Sequence, residues 1–443
     1  MQNRFPFIFF FCGFLVWFGC AVNNRALNQI QKGHEFFAEQ RYDEAIGAYQ
    51  QALKQAPNSI DVFNYVGLTY AAQQRWNKAI AAYQDALKIN PNIPEVYINS
   101  GFAYQQLKRL DDAIVAYQTV LSIDSKQPIA HYRLGLAYET KKQYELAQDR
   151  YLAVINLDTE SQANRAESGG DQKTEKNELL AHAYYHIGII YQIQGLFEKA
   201  IDAYQKAVAV LSSLADVHYR LGQSYYATYH YNAAVIAYQA ALEFVNVTPL
   251  SVTNSFFAQI PHALPTPADI QYHLGLTQAA QEKFAEAVHT YEETIALQPN
   301  HADAYYHMGI AHLAQKRYIA AMKAFQNSGL HYGNRKAYRE ARAAYEEVLR
   351  AYQALQYLKR AGSEDEKAPS GEELTKSPSG KELTEIEKRQ RLVEIEEVLT
   401  TTYDQLGTVQ TELMKFDLAI DDYRRAGEFY EEHGKFDRCH RYV

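Results

Sequence analysis

Cysteine is scarce in this chain: of 443 residues only Cys12, Cys20 and Cys439 carry a thiol, and no two form a C-x-x-C pair. That excludes a disulfide framework and a zinc-ligand set. Basic clusters are missing as well. The 44 Lys and Arg are outnumbered by 52 Asp and Glu, for a formal charge of -8, so no stripe of cations tracks a phosphate backbone and a nucleic-acid partner is excluded. No phosphate-cradling G-x-x-x-x-G-K, nucleophile-elbow G-x-S-x-G or H-E-x-x-H stands anywhere in the sequence. Adjacent carboxylates such as Asp111 and Asp112 fall at a helix start, where the helix dipole accounts for them. The sequence therefore points away from an enzyme, from a cofactor and from a small-molecule substrate.

Long apolar runs are also few. The N-terminus opens MQNR and continues FPFIFFFCGFLVWFGC to Cys20, an uncharged stretch of 15 residues from Phe5 to Gly19. As a helix it would span about 22 Å against a hydrocarbon core of about 30 Å, short for a membrane crossing. One positive side chain, Arg4, precedes it, the layout of a secretory signal over residues 1–19. Ending on Gly19-Cys20, the segment resembles a bacterial lipoprotein signal. That resemblance implies lipidation of Cys20 and a chain tethered to the membrane, facing the periplasm or cell exterior of a bacterial envelope. Trp17 and Phe18 stand where that family prefers Leu and a small residue, and the alternatives are an uncleaved anchor reaching Val22, plain secretion, or a cytoplasmic chain with an apolar N-terminus.

What is abundant is repetition. Gly33, Gly67, Gly101 and Gly135 are 34 apart, as are Gly188 and Gly222, and Gly275 and Gly309, with a late copy at Gly407. Between Gly135 and Gly188, and again between Gly222 and Gly275, the step is 53, an insertion of 19. Twelve residues after each glycine stands an alanine, from Ala45 and Ala79 through Ala419. Four further on stands a ring, from Tyr49 and Tyr83 through Tyr423, with Phe325 once. Segments such as YDEAIGAYQQAL and FEKAIDAYQKAV carry apolar residues at helical spacing on one face, and none of this region shows sustained strand alternation. Each landmark has a packing reason. Glycine admits a close neighbour, the small alanine marks a helix crossing, the ring fills the space beside it, and Pro57, Pro91 and Pro299 open turns.

This Gly, Ala, aromatic and Pro pattern on a 34-residue period resembles the tetratricopeptide repeat family over residues 26–333, in eight copies, and again near 400–433. The resemblance implies an all-α fold, a right-handed superhelical solenoid of tetratricopeptide-type helix-turn-helix repeats whose first helices line a concave groove. It implies in turn a protein that binds other proteins or peptides.

The repeats are interrupted twice. Residues 160–177 are polar, with Gly169-Gly170 and many charges, and are expected to form a solvated loop. Residues 247–267 contain Phe256, Phe257 and four prolines and are expected to pack as an irregular segment on the solenoid. Past repeat eight the spacing fails. Residues 334–360 read as one long helix and 361–384 as a disordered linker of Ser, Gly, Glu, Lys and Pro nonamers. Residues 385–443 read as a C-terminal helical region with one further repeat-like unit, loosened from the array by that linker.

Three residues before the repeat glycine stand Tyr132, Tyr185, Tyr219, Tyr272 and Tyr306, where Ile30, Asn64 and Ile98 occupy the earlier copies. By the geometry that the resemblance implies, this position faces the groove, together with Phe102 and Leu136 one residue after the glycine. Arg133, His186, Arg220, His273 and His307 lie beside the tyrosines as polar donors. An aromatic groove of this kind suits an apolar-faced helix or extended peptide; the same tyrosines also serve as packing in the family's average sequence. A clamp for a C-terminal carboxylate is not predicted, because Asn64, Leu68 and Ile129 replace the residues it requires. The pair His182 and His186 shares a helix face with no third ligand in view, so no metal site is predicted. The expected function is a membrane-tethered scaffold or adaptor. The alternative is a non-catalytic regulatory or assembly subunit of an envelope enzyme or secretion complex that docks through its C-terminal unit.

Overall fold

The computed structural model describes residues 24–163, 170–245, 265–364 and 383–432. The signal-like segment 1–19 with Cys12 and Cys20, most of the insertion 247–267, the linker core 365–382 and the tail from 433 with Cys439 lie outside the described residues.

Among the described residues the secondary structure is all helix, without strands, and the chain divides at Ser224 and Tyr225 into two compact units. In the first, α1 (Asn24–Ala38) pairs with α2 (Tyr42–Gln55), α3 (Ile60–Ala72) with α4 (Trp76–Ile89), and α5 (Pro94–Gln106) with α6 (Leu110–Ile123). Then α7 (Pro128–Thr140) pairs with α8 (Tyr144–Ala163), α9 (Gly170–Ile193) with α10 (Phe197–Val210), and α11 (Ala215–Ala227) comes last. The second unit holds α12 (Tyr231–Val245), α13 (Pro267–Ala280), α14 (Phe284–Leu297), α15 (Ala302–Ala314), α16 (Tyr318–Asn334), α17 (Tyr338–Glu364), α18 (Glu385–Glu412) and α19 (Phe416–Glu432).

Local chemistry accounts for the helix boundaries. Pro94, Pro128 and Pro267 sit at helix N-termini, where the missing N–H costs nothing. Thr266 with Asp269 and Thr384 with Glu387 form reciprocal capping boxes. Between the two helices of each pair the turn is the same every time: the seventh residue after the repeat glycine has positive φ, from Gln40 and Gln74 to Lys336 and Met414, with Gly195 among them. The residue after it donates its N–H back across the turn, as Arg41 does to the Phe36 carbonyl at 2.8 Å and Arg75 to Tyr70 at 2.9 Å.

The repeat ring packs directly on the repeat glycine, sixteen residues earlier. A Cβ added at Gly33, Gly67, Gly101, Gly135, Gly188, Gly275 or Gly309 would fall between 2.3 and 2.7 Å from the nearest ring atom of its partner. The alanine four residues before the ring is fully buried in each copy from Ala45 to Ala321.

Three expectations change. In place of a solvated loop over 160–177, the chain is helical to Ala163 and again from Gly170, so the insertion lengthens α8 and α9 to 20 and 24 residues where their neighbours α7, α10 and α11 have 13 or 14. Lys176 and Asp158 join the two extensions by a 2.6 Å ion pair, which gives these polar residues a partner across the helix interface. Second, the break after repeat eight is a sharing of one helix. On α16, Phe325 packs on Gly309 of α15, while Gly329 of the same helix receives Tyr345 of α17. Those two glycines are only 20 apart, so α16 is the second helix of one pair and the first of the next. Third, the unit at Gly407 is not loosened. Ile395, Val398 and Leu399 of α18 share a buried cluster with Phe325 of α16 and Val348, Ala351 and Leu355 of α17. Gln326 Nε2 also donates to the Val398 carbonyl at 3.1 Å, and Lys323 pairs with Glu394.

Candidate partner-binding face

In the first unit the residues three and two before successive glycines are consumed by one another. Asn99 Nδ2 donates to Asn64 Oδ1 at 3.0 Å, Arg220 Nε donates to the Tyr185 hydroxyl at 3.1 Å, and the Tyr132 hydroxyl lies 3.3 Å from His186 Nε2. The Arg133 guanidinium stacks 4.9 Å over the Phe102 ring. At Asn64, Tyr132 and Tyr185 the groove position of one repeat is thus capped by the polar neighbour of the next, because adjacent first helices run side by side and place these residues opposite each other. Tyr132 and Tyr185 are 1% exposed and Arg133 is 0% exposed. They were expected to face a partner; the structure places them in packing, since a side chain with no accessible surface has none to offer. Leu136 and Ile189 are buried with them. Burial holds the Arg133 pKa below its usual value and pushes the Tyr132 phenol up. Phe102, Tyr219 and Arg220 keep part of their surface.

Beneath this face lies a residue that no sequence motif singles out. Glu139, buried on α7, accepts from the Tyr151 hydroxyl of α8 at 2.7 Å and lies 2.9 Å from His186 Nδ1 of α9. Tyr151 stacks on the His186 ring with 5.1 Å between centroids. One buried carboxylate thus meets side chains of two neighbouring helices, by a hydrogen bond from Tyr151 and by close approach to His186. The Glu, His and Tyr resemble an acid-base set, yet with His186 at 0% exposure no substrate reaches them. The signal was present in the spacing: twelve residues before the repeat tyrosine, Gln105 and Gln192 accept from Tyr117 and Tyr204 at 3.1 and 2.8 Å in the same way. His182, one turn before His186, is buried, and burial with the nearby His186 pushes its pKa down to about 4. Among the described residues no group of three or more His, Cys, Asp or Glu is arranged to hold a metal.

The second unit presents the same positions differently. Tyr272 and Tyr306 are half-buried, Leu276 is half-buried, and Ile310 is 41% exposed. Imidazoles surround Tyr272: His301 at 4.8 Å, His273 at 5.3 Å and His307 at 5.8 Å between ring centroids. Burial lowers the pKa of all three histidines, which keeps them uncharged at neutral pH. Tyr306 packs edge-on against Phe325, which fixes its ring while leaving one side accessible. Asp303 is held by the Tyr332 hydroxyl at 2.6 Å. The result is an aromatic and aliphatic surface with neutral polar edges on α13 and α15, able to bury an apolar side chain and hydrogen-bond a peptide backbone.

Comparison with known proteins agrees with this architecture. One model of the TPR repeat matches residues 33–74, 67–108, 106–142 and 188–228, and two models of the tetratricopeptide repeat match 272–328 and 129–161. No curated protein matches the chain. Among solved structures it is similar to the C-terminal part of a TPR repeat-containing protein from Cytophaga hutchinsonii, at 13% identity over 62% of this chain and 97% of that one, TM-score 0.46. It is similar also to YrrB, a TPR protein with an unusual peptide-binding site, at 20% identity, covering 50% and 95%, TM-score 0.37. PilW, a type IV pilus biogenesis factor, aligns at 18% identity over 53% and 98%, TM-score 0.40. The segments that the family models match stop before Gly329, so the pairs built on Gly329 and Gly407 extend beyond them.

Proposed function

Because this chain belongs to the tetratricopeptide repeat family, we propose that it is a non-catalytic scaffold that binds partner proteins or peptides on the first-helix face of its second unit. The carrying observation is the partly exposed surface of Tyr272, Leu276, Tyr306 and Ile310 beside neutral His273 and His307. An apolar-faced helix or an extended segment with spaced apolar side chains fits it, with the tyrosines as anchors. In the first unit, the partly exposed Phe102, Tyr219 and Arg220 contribute a smaller accessible surface.

The N-terminal segment supplies the address in this reading. Its apolar run from Phe5 to Gly19 followed by Cys20 supports attachment to a bacterial envelope membrane, with the repeats on the outer side. No helix among the described residues is long and apolar enough to cross a membrane. One affinity purification from membranes tests both parts. Tyr272→Ala with Tyr306→Ala is expected to lose the captured partners while helicity is retained, and Cys20→Ser to release the protein from membranes and abolish fatty-acid labelling. Unchanged capture by the double tyrosine variant would rule out the groove, and unchanged membrane retention without labelling would rule out the lipid anchor.

A further inference from the structure

The junctions between pairs differ at their turn edge, and one in the second unit is open and lined by cations. At three junctions, the tenth residue after the repeat glycine accepts from the sixth residue after the next one. Gln73 Nε2 donates to Asp43 at 3.0 Å, Lys141 to Asp111, and Gln281 Nε2 to Asn232 at 2.9 Å. Where α17 meets the α18–α19 turn, the accepting position holds Arg339 and the donating position holds Leu413. A guanidinium facing a leucine makes no bridge, and a cleft of about 330 Å³ stands open there, lined by Arg339, Arg342, Ala343, Glu346, Leu413 and Lys415.

The cation at the start of α19 is released by a second substitution. Arg41 and Arg109 begin the second helices of their pairs and are neutralised by the acids three residues on, Glu44 at 2.6 Å and Asp112 at 2.8 Å. Lys415 occupies the same position, and the residue three on is Leu418, which is exposed. Within the cleft only Arg342 has an acid of its own, since its Nε donates to Glu346 at 2.7 Å, a pairing that holds the guanidinium in place. Among the lining residues three cations face one committed carboxylate, and with the buried Asp422, which also acts on Arg342, the balance around Ala343 and Leu413 stays positive. Both α17 and α19 also begin at this edge, so their dipoles add to the positive field.

We propose that this cleft is a docking site for an acidic peptide segment of another protein, its carboxylates on Arg339, Arg342 and Lys415 and an apolar side chain between them on Leu413. The site is separate from the aromatic face on α13 and α15 and does not rest on it. The acidic segment between α17 and α18 cannot fill it. Those helices carry the chain away from the cleft by about 38 and about 42 Å, and the roughly 20 residues joining them extend to at most about 70 Å, too short for the return trip. Nucleic acid is disfavoured by the -8 formal charge of the chain and the small number of cations.

The test uses the full chain and a fluorescein-labelled decapeptide carrying four glutamates around one leucine, read by fluorescence anisotropy. The glutamate peptide is expected to bind at least about tenfold more tightly than the same peptide with glutamines, and to weaken as salt rises from about 50 to about 300 mM. Arg339→Glu with Lys415→Glu should abolish the difference, whereas Tyr272→Ala with Tyr306→Ala should leave it untouched. Circular dichroism confirms that each variant is folded, and Arg339→Gln with Lys415→Gln serves if the charge reversal is not tolerated. Equal affinity for the two peptides, or undiminished binding by the cleft variants, overturns the proposal. So does displacement by inorganic phosphate at peptide-like concentrations, or a labelled oligonucleotide bound with the same dependence on Arg339 and Lys415.

Discussion

The ring of Tyr83 lies against the backbone of Gly67, so close that a Cβ on that glycine would sit 2.3 Å from the Tyr83 Cε1 atom. The contact spans the two helices of one pair and recurs at Gly329 with Tyr345 and at Gly407 with Tyr423. It explains why the repeat carries glycine at mid-helix despite a propensity cost of about 1 kcal/mol relative to alanine. The ring takes the volume that a side chain would fill.

Two glycine substitutions of the same chemistry should therefore act in opposite directions. Gly67→Ala pushes a methyl group into a fully buried ring, an overpacking cost of about 1–3 kcal/mol against a propensity gain of about 1. Gly47 lies on α2 with nothing within 4 Å of an added Cβ, so Gly47→Ala should stabilise by about 0.5–1 kcal/mol. Urea denaturation with circular dichroism detection reports both, and shifts of the same sign would refute the packing explanation.

Acid should weaken the fold through its buried histidines. His182 has its folded pKa pushed down to about 4 by burial first and by His186 second, while in the unfolded chain it titrates near 6.5. The neutral ring's contribution is thus complete above pH about 6.5 and is lost progressively as pH falls from there to about 4, on the order of 2–3 kcal/mol in all. His312, pushed to about 4, and His131, His273 and His307, lowered by burial, act in the same direction. His182→Gln is expected to reduce the loss of urea midpoint between pH 7.5 and pH 5. A variant with the wild-type pH profile would assign the acid sensitivity elsewhere.

Leu399 should be needed for the stability of residues far from it in sequence. It is 1% exposed on α18 within the cluster that includes Val348, Leu355 and Phe325. Leu399→Ala leaves a cavity there and should cost about 2–5 kcal/mol, seen as earlier thermal unfolding and greater dye binding to exposed apolar surface. A neutral effect would mean that the last pair is not integral to this unit. Removing α18 and α19 would likewise uncover Val348, Ala351 and Leu355 and is expected to destabilise α16 and α17.

The repeat and its landmarks were legible in the sequence because each copy must solve the same packing problem: glycine, alanine and ring recur at fixed spacing wherever a second helix crosses a first. The all-α class and the helix pairs from Asn24 onward stem from that spacing together with helical periodicity. The double use of α16 was not legible, because Gly329 stands 20 residues after Gly309 and a search for 34 steps over it; only the ring of Tyr345 on Gly329 reveals the pair.

The side chains facing a partner were likewise beyond what spacing could tell. Tyr132, Tyr185 and Tyr272 occupy one register position, yet two are buried and one keeps accessible surface, since exposure depends on the neighbouring repeat's residue and not on the tyrosine's own place in its helix. The spacing places Glu139 opposite Tyr151 but not against His186, and the Arg339–Leu413 junction was hidden for the same reason. Local periodicity dictates helices and their pairing because those contacts lie within about 34 residues. Exposure, buried charge and open clefts depend on which side chains meet across the junctions between pairs, and that is settled when the pairs stack.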